Sequence, residues 1–261
     1  MEFGLRNKNA LIIASSQGLG KAVAKLLVKE GANVMLSGRD EDKLKAVQRE
    51  LEGIEGGRVA YCVTDITKNN EIVNLVNRTN EEFGGIELLV NNAGGPKAGA
   101  FIEMSDDDWQ HSFELNLLSY IRIIRETLPF LQKQGGKIVN IASSSIKEPI
   151  PGLILSNTFR TAIVGLSKTL ATELASDNIL INTVGPGRIA TDRVAHLDQI
   201  NADKQGVSVK EMEAKMKATI PLGRYGEPEE FAKLVTFLLS EANSYLTGQT
   251  YLVDGGSIKS I

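Results

Sequence analysis

Apolar runs of strand length alternate with longer amphipathic segments from the start of the chain almost to its end. Residues 10–14 read as a first strand and 18–30 as a helix, with Ala22, Val23, Leu26 and Leu27 on one face. A second strand is predicted at 32–37, a helix capped by Asp40 and running to about 51, and a third strand at 58–63. The pattern continues with a helix over 70–83, a strand at 86–90, a long helix from about 107 to 132 and a strand at 137–141. A helix near 155–175 and a strand at 179–184 follow, and a helix over 228–239 and a strand at 250–253 close the chain. Strands that alternate with helices in this way make βαβ units, so the expected fold is α/β, a doubly wound parallel sheet of about seven strands with helices on both faces. The regularity lapses over about 188–226, which is polar, charged and broken by Gly206, Pro221, Gly223 and Gly226, and suits a mobile flap better than a core element.

The 261 residues contain no Pro-, Gly- or Ser-rich linker, no short-period repeat and no low-complexity tract, so one domain over 1–261 is expected. Hydrophobic residues make up 42% of the chain and charged residues 23%, enough apolar content for a sizeable core. With 29 basic against 32 acidic side chains there is no excess of positive charge for phosphate backbones, and nucleic acid is an unexpected partner. Cys62 is the one cysteine and lies in an apolar run, where a buried, inert thiol in a reducing compartment is the simplest reading. The first apolar stretch gives way to polar residues at Ser15, too soon for a signal peptide or membrane span, so a cytoplasmic protein away from membranes is expected.

Chemistry enters at Ser15-Ser16-Gln17-Gly18-Leu19-Gly20, between the first strand and the first helix. A tight glycine turn there can bring backbone N–H groups and the positive helix end up to a pyrophosphate. Alone, such a turn is equally a plain strand-to-helix connection. Asp65 follows the third strand, Asn91-Asn92-Ala93-Gly94 the fourth and Pro186-Gly187 the sixth, all at the carboxyl edge where open α/β sheets hold ligands. At the end of the second strand, Ser37-Gly38-Arg39 offers no acid for a ribose 2′-hydroxyl and an Arg for a 2′-phosphate. This favours NADP(H), with NAD(H) possible. Arg39 could instead be a solvated surface charge, and Asp40 could turn from its cap to a ribose.

These segments, with Asn116 on the long helix, Ser143 after the fifth strand and the terminal Val253-Asp254-Gly255-Gly256, resemble the short-chain dehydrogenase/reductase family over nearly the whole chain. The resemblance implies that Asp65 meets the adenine and that Asn91 to Gly94 serve the adenosine side and the central strand. It further gives Thr191 to the phosphate or carboxamide side, with Ile66, Pro186, Gly187 and Ile189 also against the cofactor. A soluble homotetramer is implied too, its long helices packing against symmetry mates, although Ile121, Ile124 and Leu128 could equally be core. No metal is expected. The glycine motif departs from the family's Thr-Gly-x-x-x-Gly-x-Gly, because Ile13 and Ala14 stand in its first two places. Ala14 would be strained if that position needs a positive φ and comfortable if it is extended.

The family reduces carbonyls with Ser, Tyr and Lys: Tyr is the acid, Lys lowers its pKa and holds the ribose, Ser bonds the substrate oxygen, and an Asn supports the proton relay. Ser143 and Asn116 match. No Tyr-x-x-x-Lys occurs in the chain, and Ser156 and Arg160 align with the Tyr and Lys. In this the chain resembles a divergent subgroup, 3-oxoacyl-[acyl-carrier-protein] reductase-like, that lacks the pair. A serine hydroxyl is far less acidic than a phenol and Arg stays protonated, so the relay cannot operate unchanged. Arg160 could hold ribose hydroxyls or an anionic substrate group, or stabilise an oxyanion. Lys147, His196 and Tyr225 are candidate substitutes for the acid, each equally readable as a surface or structural residue, and His111 reads as a surface residue. Two functions remain open: an NADP(H)-dependent oxidoreductase of ketones, secondary alcohols or acyl thioesters, and a dinucleotide-binding sensor or partner subunit with little or no redox activity.

Overall fold

The computed structural model describes residues 3–260. Its strands are β1 (Asn9–Ile12), β2 (Asn33–Gly38), β3 (Val59–Val63), β4 (Leu88–Asn91), β5 (Gly136–Ile141), β6 (Ile179–Pro186) and β7 (Thr250–Val253). They form one parallel sheet in the order β3-β2-β1-β4-β5-β6-β7, the doubly wound arrangement expected from the alternation. Helices α1 (Gly18–Lys29), α2 (Glu41–Glu52), α3 (Asn69–Phe83), α4 (Asp106–Phe113), α5 (Ser119–Leu131) and α6 (Ile154–Glu173) join the first six strands. Next come α7 (Asp192–Gln205), α8 (Val209–Ala218) and α9 (Pro228–Leu239).

Successive strand residues point to opposite faces, and the two faces of the sheet bury separate cores. Ala10, Ile12, Val34 and Leu36 pack with Val23 and Leu27 of α1 and Phe231 and Val235 of α9. Leu11, Ile13 and Met35 pack on the other face with Ile72 and Leu75 of α3, Ile123 of α5 and Ile163 of α6. Ile124 belongs to this second core and Leu128 packs on its edge. Cys62 is buried there, its sulfur accepting from the Asn74 amide at 3.6 Å. Among the described residues no helix is long and apolar enough to cross a membrane.

Predicted element ends fall within two residues of the observed ones, with two exceptions of substance. The long helix, capped by Ser105 and Asp108 in a reciprocal capping box, is interrupted over Glu114–Leu118 by a π-helical turn that contains Asn116. The segment read as an irregular flap folds instead into α7 and α8. Its helices escape an apolar-periodicity reading because the residues α7 buries are Asp198 and Ala202. Gly206, read as a breaker, is the left-handed C-cap of α7 at φ +66°. Asp198 is 1% exposed and bound to the Arg188 guanidinium, and it accepts from the Tyr225 hydroxyl at 2.7 Å. That cluster ties α7 to the two ends of its own loop.

Candidate active site

The strand order reverses between β1 and β4, and a cavity of about 940 Å³ opens at the carboxyl ends of the strands there. Its floor is the turn from β1 into α1. Ala14 takes φ +50° and Gly18 φ +57°, which ends the strand and swings the chain into the helix. The alanine therefore occupies the left-handed region, the strained alternative of the two the sequence left open. Gly20 is needed for close packing: a Cβ on it would stand 2.4 Å from the Ala14 carbonyl oxygen. The Asn92 amide also donates to that oxygen at 3.2 Å, tying the loop after β4 to the turn after β1. Helix α1 starts without a capping side chain and without an acid in its first turn. Its first N–H groups and positive end consequently face the cavity uncompensated, the arrangement that accepts a pyrophosphate.

At the β2 and β3 end the cavity wall carries Arg39, Lys43, Asp65 and Ile66. Asp40 also lines it, and one oxygen of its carboxylate accepts from the Lys43 backbone N–H at 3.0 Å, which makes it the cap of α2. Lys43, which the sequence reading missed, donates from Nζ to the Gln17 side chain at 2.9 Å. A cation one turn into the helix after β2 was the available signal for it. Asp65 accepts from the Thr67 N–H at 3.0 Å and its hydroxyl at 2.8 Å. Burial opposes its ionisation, yet those two bonds and the charges of Lys68 and Arg39 bring its pKa below the ordinary carboxylate value.

At the β4 to β6 end the wall carries Asn92, Ala93, Gly94, Ser143, Ser156, Arg160, Pro186, Gly187, Ile189 and Thr191. Ser143 sits where β5 leaves the sheet, its hydroxyl oxygen accepting from the Ser145 N–H at 3.1 Å. Ser156 and Arg160 lie four residues apart on α6 and are 8% and 4% exposed, so they are not surface groups. The Arg160 guanidinium donates from Nη1 to the Tyr120 hydroxyl at 2.6 Å and the Ile141 carbonyl at 2.9 Å, and from Nη2 to the Ala93 carbonyl at 3.0 Å. Tyr120 in turn donates to the Ile141 carbonyl at 2.8 Å, and burial raises its pKa despite the adjacent guanidinium.

Of the residues expected at the site, Ser16, Gln17, Gly18 and Leu19 line the cavity, whereas Ser15 and Gly20 lie behind it. The Ser15 hydroxyl is wholly buried, donating to the Ile12 carbonyl at 2.9 Å and accepting from the Ser37 N–H at 2.9 Å, so it cross-links β1 and β2. Asn116 is also behind the wall. Its amide donates to the Gly94 carbonyl at 2.8 Å and its oxygen faces the Ser112 hydroxyl at 3.3 Å, which makes it a support for the lining loop. Asn91 is buried and donates to Asn140 at 2.9 Å, within the central strands. Among the proposed substitute acids only His196 lines the cavity. Lys147 is exposed outside it, and the Tyr225 phenol is engaged by Asp198 with its pKa pushed up to about 12 by burial and that bond, which makes it a weaker acid than usual. His111 is exposed on α4. Arg193, also in the cavity wall, was missed, because it stands in the segment read as irregular.

A family model described as Enoyl-(Acyl carrier protein) reductase matches residues 13–257. The human protein "Dehydrogenase/reductase SDR family member 4" is 36% identical over 257 residues, covering 97% of this chain and 88% of that protein. The 3-oxoacyl-[acyl-carrier-protein] reductase FabG of Chlamydia muridarum is 34% identical, covering 97% of this chain and 98% of its own. Among solved structures, L-sorbose reductase from Gluconobacter frateurii, complexed with NADPH and L-sorbose, superposes with a TM-score of 0.95 at 33% identity over 100% of both chains. The sheet order, the turn at the switch point and these likenesses agree, and the chain belongs to the short-chain dehydrogenase/reductase family.

Proposed function

We propose that this protein is an NADP(H)-dependent oxidoreductase interconverting a ketone and a secondary alcohol, related to the 3-oxoacyl-[acyl-carrier-protein] reductases and belonging to a subgroup that lacks the Tyr-x-x-x-Lys pair. Residues 1–261 act as one dinucleotide-binding and catalytic unit. The observation that carries this reading is that one cavity joins the uncapped start of α1 to a wall holding Ser143, Ser156 and Arg160. The first N–H groups of α1 hold the pyrophosphate, Arg39 and Lys43 take a 2′-phosphate, and Asp65 and Ile66 flank the adenine. When bound, the nicotinamide supplies or accepts the hydride.

The chain's own residues do the rest. Ser143 donates its hydroxyl to the substrate oxygen, and the fixed charge of Arg160 steadies negative charge gathering there. Ser156 is too weak an acid to release a proton at neutral pH, so a proton reaches the oxygen from the α7 side, where His196 lines the wall. General acid catalysis contributes about 10²- to 10⁴-fold, so a site that keeps positioning and electrostatics remains a reductase, though a slower one. Titration calorimetry with NADPH and NADH, then absorbance of the reduced cofactor against 3-oxoacyl thioesters and simple ketones, tests the reading. Binding without turnover of any substrate would overturn it.

One observation favours a second function, a dinucleotide-binding sensor or partner subunit. The Arg160 guanidinium makes three bonds that join α6 to Tyr120, Ile141 and Ala93, which suits a structural clamp. Under that reading Ser156→Tyr with Arg160→Lys creates activity that the parent lacks, whereas loss of a parental activity in the double variant excludes it. The homotetramer is likewise proposed, and sedimentation equilibrium showing a monomer would refute it.

A further inference from the structure

Two arginines, Arg160 and Arg193, line the same end of the cavity. Arg160 is buried, and its bonds go to one hydroxyl and two carbonyls, all uncharged. Arg193, at the start of α7, donates from Nη2 to the Pro96 carbonyl at 2.9 Å. Among the described residues neither guanidinium has a carboxylate within 4.0 Å, although Asp192 lines the same cavity. Both rest on one short stretch of backbone, residues 93–96.

Gly95 makes this possible. A Cβ there would stand 2.8 Å from both Nε and Nη2 of Arg193, so only glycine lets the guanidinium settle on the loop. Partial withdrawal from solvent and the charge of Arg160 both pull the Arg193 pKa below the ordinary guanidinium value. Like charges held together away from water are costly unless an anion completes the group. Arg193 uses one of its five N–H donors on Pro96, and the planar fork that remains matches the two oxygens of a carboxylate. Ser143 and Ser156 line the same cavity, so the anion and the carbonyl to be reduced would share it.

We propose that Arg193, backed by Arg160, is the receptor for a carboxylate on the substrate, so that the preferred substrates are oxo acids and the corresponding hydroxy acids, not neutral ketones. This rests on the oxidoreductase reading for turnover, but not for binding. The same donors could reach the cofactor's pyrophosphate, and the measurement must separate the two anions.

The experiment is calorimetry on the full-length protein, free and saturated with NADP⁺, using acetoacetate and 2-oxobutyrate as probes against their methyl esters. Preference for either acid over its ester by about tenfold or more is expected, as for a charge-assisted pair. Arg193→Met should erase that preference, Arg193→Lys should restore part of it, and Gly95→Ala should weaken it by displacing the guanidinium. Far-ultraviolet circular dichroism and thermal melting confirm that each variant is folded. Equal affinity for acids and esters in the parent overturns the inference, as does an Arg193→Met variant that loses NADPH affinity while keeping its preference for the acid. Selective acid binding without any turnover would leave the receptor standing and remove the oxidoreductase reading.

Discussion

The two ends of the cavity are built by different means. The end under β1, β2 and β3 is made of backbone and local turns: the uncapped start of α1, a left-handed residue at 14, and Arg39 and Asp65 just past their strands. The end under β4, β5 and β6 is made by side chains that converge from far apart. Arg160 reaches Ala93 across 67 residues and Tyr120 across 40. The first kind of wall owes less to individual side chains, because backbone N–H groups and a helix terminus form much of it. The second depends on individual side chains, Ser143, Ser156 and Arg160 among them.

This contrast can be broken most severely at Arg160. Replacing it with Met removes three charge-assisted bonds and takes the partner from the Ala93 carbonyl, while the Tyr120 hydroxyl and the Ile141 carbonyl keep each other, and urea denaturation should show a loss of about 3 kcal/mol. A loss below about 1 kcal/mol would mean that the buried cation was as costly as its bonds were favourable.

Next in size is the anchor of α7. The Tyr225 pKa is pushed up to about 12 by burial and by its bond to Asp198. The folded value lies above the unfolded one near 10, so the contribution is fully present below about pH 10 and is lost as pH rises towards 12. The amount is about 2–3 kcal/mol, and Tyr225→Phe should flatten that part of the stability profile relative to the parent. An unchanged profile would detach Tyr225 from the stability of the segment.

Three smaller effects sharpen the backbone-built end. Arg39→Ala should reduce affinity for NADPH about tenfold more than for NADH, by analogy with other charge-assisted phosphate contacts. Asp40→Ala should cost about 1 kcal/mol as a lost cap and leave the cofactor ratio alone. If Asp40→Ala instead changes the ratio, the acid has a second role at the ribose. Smallest is Ala14→Gly, expected to raise stability by about 1 kcal/mol because glycine adopts φ +50° without strain. A destabilised variant would show that the Ala14 methyl, which packs on the second core, outweighs the backbone term.

Much of this was legible before folding. Strand and helix periodicity is local, so the elements, their order and the cavity's place at the carboxyl edge followed from the chain read alone. Asp40 as a cap and the glycine turn were legible for the same reason, since their partners lie within a few residues. The α7–α8 pair was not, because α7 buries an aspartate against Arg188 and Tyr225, which leaves no apolar stripe to detect. Ser15 was read as a ligand contact, yet its hydroxyl is taken by β2, a partner 22 residues away.

The sequence by itself determined the parallel α/β fold, the glycine turn between β1 and α1 and the absence of a Tyr-x-x-x-Lys pair, because each is written in neighbouring residues or in residue identity. Tertiary structure alone decided that Ala14 is left-handed, that Asn116 and Ser15 stand behind the wall, and that Arg160 and Arg193 share one loop. Those outcomes depend on which distant atoms arrive at hydrogen-bonding distance, and long-range closure of the sheet, not local preference, brings them there.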